Sequence, residues 1–147
     1  MKSSFLTILM IVGISIAVTA QEYLVVTTVE SVVPMGIGRS RMIQETDSLN
    51  YQDFTTVRTD GKAAKEQSNR KDIKVDNMEE TKMLNFYSGV GINFQNIASN
   101  DAMITSKLNE LSKQGYKLVF VTSGVESDAG KGDGTGIFIT RYIFVKN

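Results

Sequence analysis

The sequence predicts an α+β domain: a small antiparallel sheet of about four strands with one main helix packed on a face, plus a long polar excursion. Three observations predict it. The segment "EYLVVTTVE" near the start is β-branched with no helical period, and "YKLVFVTSGV" and "GIFITRYIFVK" near the end have the same character. Between them lies one segment with clear helical periodicity, "SNDAMITSKLNELSKQG". A meander of strands with a single helix must bury the apolar stripe of that helix on the sheet.

The elements follow in chain order. The first 20 residues read as a secretory signal peptide: Lys2 precedes an apolar run from Phe5 to about Ala17, and Val18 and Ala20 have the spacing that signal peptidase reads. The run falls short of the roughly 18 apolar residues an anchor needs, so the mature chain is expected to begin at Gln21 and not to insert in a membrane. Residues 21–147 then form one α+β domain, a size that supports a single apolar core. After the first strand, Glu22 to Glu30, Pro34, Gly36 and Gly38 make a turn. "SRMIQETD" is expected to be a second strand, antiparallel to the first.

From about Asp47 to Lys82, charged and amide residues dominate and apolar positions are isolated, which predicts an exposed loop or a flexible excursion from the domain. Within it "YQDFTTVRTDG" reads as a short strand ending at Asp60-Gly61. "NMEETKMLNFYSGVGINF" fits a short helix from Met78 or an extended segment, and its residues do not choose between them. The main helix is expected to span about fourteen residues. Asn100 is its N-cap, Asp101 lies in the first turn, Met103, Ile104, Leu108 and Leu111 form its buried stripe, and Gly115 is the left-handed cap. In the last strand Ile137, Ile139, Ile143 and Val145 point one way and Phe138, Tyr142 and Phe144 the other. Both faces are apolar, and one helix covers one face. The middle region, a second copy of the chain or a protein partner is expected to cover the other.

"EYLVVTTVE", "KLNELSKQGYKLVFV" and the closing "RYIFVKN" together resemble a small bacterial family of unknown function. Its pattern is E-Y-K-V-V, then L-N-x-L-x-x-x-G-W-E-L-V, then a last strand with a basic end. The match covers the first strand and roughly residues 100–146, with Tyr116 in place of the family's tryptophan. A secreted, longer subgroup is similar also through "GRSRM" and "VGINFQNIASND". The resemblance implies a fold and carries over no catalytic residue. With the leader, it implies a secreted protein of the periplasm or exterior of a Gram-negative bacterium.

The composition restricts the chemistry further. There is no histidine and no cysteine, which excludes Ser-His-Asp and Cys-His catalysis, thiolate sites, histidine-bound zinc and disulfides. An extracellular domain without disulfides is held by its core. The chain has 16 basic and 16 acidic residues, so no net charge recommends nucleic acid or an anionic membrane as partner.

Three groups of residues are candidate sites. The glycine-rich stretch "SDAGKGDGTG", 127–136, joins the last two strands. Lys131 follows Gly130 as in a phosphate-binding loop, but Gly132 stands where Ser or Thr is needed and the next element is a strand, so a nucleotide loop is not read. Glu126, Asp128 and Asp133 could offer oxygen ligands to calcium, against the reading of a wet hairpin connection. Arg39 and Arg41, two apart in "GIGRSRM", suit a small carboxylate or phosphate, with Arg141 as a possible third member. The competing reading is solvated edge charges, with Arg141 neutralised by Glu22 or Glu30. Acidic residues elsewhere are dispersed, and nothing places two carboxyls across a cleft as glycoside hydrolysis requires.

Overall fold

A computed structural model describes residues 21–32, 40–63, 69, 71–125 and 136–146. The leader lies outside the described residues. The elements are strands β1 (Glu22–Ser31), β2 (Arg41–Glu45), β3 (Arg58–Thr59), β4 (Lys62–Ala63), β5 (Met78–Lys82), β6 (Tyr87–Ser88) and β7 (Gly91–Ile92), then helix α1 (Phe94–Lys113) and strands β8 (Lys117–Val125) and β9 (Ile137–Lys146). The main sheet has five strands in the order β5-β2-β1-β9-β8, every neighbour antiparallel. Its spine is the ten-residue ladder of β1 with β9, from Glu22 opposite Lys146 to Ser31 opposite Ile137. The α+β class is therefore as expected, with one strand more than the four predicted.

The added strand is β5, "MEETK". All five of its residues are exposed, and nothing in its composition marks a strand. Pairing makes it one: Arg41 to Glu45 lie opposite Lys82 to Met78. An ion pair holds it on each side of the sheet, Arg41 with Glu80 on one and Lys107 of α1 with Glu79, at 3.1 Å, on the other. The segment left open between helix and extended conformation is thus extended. Earlier in the excursion, Tyr51–Phe54 is a 3-10 turn and not strand. Arg58–Thr59 and Lys62–Ala63 make a minimal hairpin about Asp60 and Gly61, with φ of 52° and 75°, as a D-G turn of mirror type requires.

The helix is longer than predicted. Asn93, not Asn100, is the N-cap: its Oδ1 accepts from the amides of Gln95 and Asn96 at 3.0 and 3.1 Å. The sequence offers asparagine at 93, 96 and 100, each with cap chemistry, and the extended backbone of Asn93 decides among them. The other end is as expected. Gly115, at φ 92°, closes a Schellman motif in which its own amide donates to Ser112 O and the amide of Tyr116 to Leu111 O.

Val26, Met42, Met83, Leu111 and Phe144 are the buried apolar core, with Leu24, Met103, Ile104, Leu108, Tyr116 and Tyr142 packed around them. The helical stripe at Met103, Ile104, Leu108 and Leu111 meets the even-numbered side chains of β1 and β9. The register places the odd-numbered ones, among them Val25, Val29, Ile139 and Ile143, on the opposite face. Among the described residues, no helix is long and apolar enough to cross a membrane.

Candidate functional site

Arg41 and Arg141 share the face that α1 does not cover. Arg41 stands opposite Val29 and Arg141 opposite Thr27, so the two lie either side of β1 and offset by two residues. Arg41 is committed within the fold. Beyond its ion pair with Glu80, its Nη1 donates to Ser40 O at 2.9 Å. Arg141 is exposed, between Thr27 and Thr122 across the strands. The expected neutralisation of Arg141 by Glu22 or Glu30 does not occur. Both carboxylates occupy even positions of β1 and therefore the helix side. Arg39, Glu126, Asp128 and Asp133 lie outside the described residues.

Around Arg141 the open face divides in two. On the β2 and β5 side it is charged, with Arg41, Glu45, Glu80 and Lys82. Across β1, β9 and β8 it is apolar: Val25, Val29, Ile137, Ile139, Ile143 and Val145 are half-buried in the sheet surface, while Tyr23 and Phe120 are 63% and 59% exposed. Among the described residues this is not a second core. The buried cluster lies wholly on the helix side, and Leu49, Tyr51, Val57 and Ile73 of the middle region are themselves exposed.

Strand β8 is open on both faces. Among the described residues the buried core joins α1 to β1, β2 and β9 and takes in no side chain of β8, so even Leu118 and Val121, which share the helix side with Phe144 and Tyr142, remain 44% and 45% exposed. Val119 forms a bulge between Leu118 and Phe120, which changes the register by one residue. Between α1 and the start of β8 runs a shallow groove of about 400 Å³ bordered by Leu108, Ser112, Tyr116 and Leu118.

A polar cluster that the sequence did not indicate closes the other end of the helix side. Asn100, fully buried, accepts from the Leu84 amide at 2.8 Å and donates to Leu84 O at 2.7 Å and Glu30 Oε1 at 3.0 Å. Ser40 Oγ accepts from the Ser31 amide and donates to Asn85 Oδ1 at 2.7 Å, and Asn96 donates to Asn85 O. Burial raises the Glu30 carboxyl above the ordinary carboxylate range. The Asn100 hydrogen bond opposes that shift and the nearby Asp101 charge adds to it. Tyr142 is raised also, chiefly by burial. Asn96 and Asn100 satisfy backbone groups of the 83–86 connection, and Ser40 satisfies the amide of Ser31 on β1. The arrangement fastens the chain.

Compared with known proteins, the chain matches no family model, no curated protein and no solved structure.

Proposed function

We propose that the chain is a secreted, non-catalytic domain that acts by binding or self-association through the sheet face its helix leaves open. The observation that carries this reading is the apolar band of β1, β9 and β8 on that face, with exposed Tyr23 and Phe120 and, among the described residues, Arg141 within it and Lys117 at its end as its charges. Contiguous apolar surface of this kind is stable in water only at a cost, and it marks interaction sites. The lack of histidine and cysteine supports a role without chemistry of its own. Lys2, the apolar run after it and Ala20 support export, which N-terminal sequencing of the exported protein would test by a start at Gln21.

The face is tested by placing charge on it. Ile139→Glu with Ile143→Glu should keep the circular dichroism of the native protein, reduce binding of a hydrophobic dye and weaken association seen by sedimentation velocity. A folded protein whose dye binding and sedimentation are the same with and without these substitutions would remove the reading.

A further inference from the structure

We infer that β8 is a self-pairing edge, along which a second copy of this chain adds its own β8 antiparallel and extends the five-stranded sheet to ten. This deepens the reading above and rests on it, since it names the partner and the contact.

The two edges of the sheet are built differently. At one edge β5 carries Glu79, Glu80 and Lys82 in five residues, and charges of this kind discourage an incoming strand. At the other, β8 is "KLVFVTSGV", nine residues with Lys117 at its start as its one charge. It has no proline, and β-branched or aromatic side chains fill its middle. Among the described residues its neighbour β9 occupies one side, leaving a row of main-chain amides and carbonyls, interrupted at the Val119 bulge, on the other. A strand of this length offers about 30 Å of edge. Antiparallel pairing along it would form on the order of eight main-chain hydrogen bonds.

A copy of β8 is the occupant that its side chains fit. The strand presents apolar groups on both faces, Leu118 and Val121 on the helix side and Phe120 on the open side, and all are 44–59% exposed. A two-fold axis through Val121 sets that residue against its own copy on the helix side and Phe120 against Thr122 of the other copy on the open side, the isologous arrangement of symmetric dimers. The same axis sends the two Lys117 side chains to opposite ends of the paired strands, so no like charges meet. It also joins the apolar bands of the two open faces into one.

The test is the solution state of the purified protein from about 1 to about 100 μM, the range where modest interfaces dissociate. A concentration-dependent dimer is expected, with amides of β8 exchanging more slowly in the dimer than in the monomer. Phe120→Lys and Val121→Lys, each at an exposed position, should raise the dissociation constant tenfold or more with unchanged circular dichroism, while Thr81→Val on β5 should leave it unchanged. A strict monomer at the highest concentration overturns the proposal. So does a monomer whose β8 amides become protected only on adding an extended apolar peptide, which would make a foreign strand the occupant. A dimer insensitive to Phe120→Lys and Val121→Lys but dissolved by Ile139→Glu also overturns it, and would leave the broader reading of the open face standing.

Discussion

Asn100 joins three parts of the chain with one side chain: the middle of α1, the backbone at Leu84 and the carboxylate of Glu30 on β1. Removing it leaves an amide and a carbonyl unpaired in the interior. Asn100→Ala should therefore cost about 3 kcal/mol, measured as a lower urea midpoint. Glu30 works in the other direction. Because burial raises its folded carboxyl above the unfolded value, the folded state holds the proton more tightly, and this group's contribution weakens stability as pH rises through that window. Glu30→Gln, which keeps an oxygen for Asn100, should raise stability at neutral pH and flatten the profile above pH 4.5, the ordinary value. Asp47 has the opposite sign. Hydrogen bonds from the side chain and amide of Asn77 lower its carboxyl, so its contribution is present above the ordinary carboxylate range and lost as pH falls through the folded value. An NMR titration of Asp47 should show its midpoint return upward in Asn77→Ala.

At the scale of elements, the strands β1, β8 and β9 are legible in the sequence because β-branched runs have no other use there. The helix is legible in its stripe and its C-terminal glycine. Its start is not, because three asparagines compete for the cap and the choice rests on where the chain arrives: the Asn93 amide donates to Phe86 O at 2.7 Å, fixing the approach to α1. Asn93→Ala should cost about 1 kcal/mol in thermal or urea unfolding as a lost N-cap. β5 is illegible for a different reason. Its charges suit solvent, and it is a strand because β2 offers it a ladder and Arg41 and Lys107 offer it counter-charges.

For the whole molecule, stability is concentrated on one side of the sheet. Leu111, 1% exposed, sits where the helix presses on Val26 and Phe144, so Leu111→Ala should cost about 2–5 kcal/mol, read from the same urea midpoint. Substitutions on the open side should behave otherwise. Ile139→Glu is expected to lower the urea midpoint of the monomer clearly less than Leu111→Ala, by about 1 kcal/mol, because it removes a half-buried side chain and not a fully buried one. A loss on the scale of Leu111→Ala would mean that this face is packed within the monomer.

The sequence by itself determined the α+β class, the strands at both ends, the apolar character of both faces of β9 and the exclusion of histidine and thiol chemistry. These are properties of composition and period, which act over a few residues. The tertiary structure decided what depends on neighbours distant in the chain: that β5 is a strand, that Asn100 is an interior clamp, and that Arg141 stands apart from Glu22 and Glu30 on the other face. It also decided the contrast between the two sheet edges, since whether a strand is central or terminal is set by pairing order and not by its residues. β8 resembles an interior strand in composition and stands at an edge in the fold. That mismatch is the physical reason to expect another strand beside it.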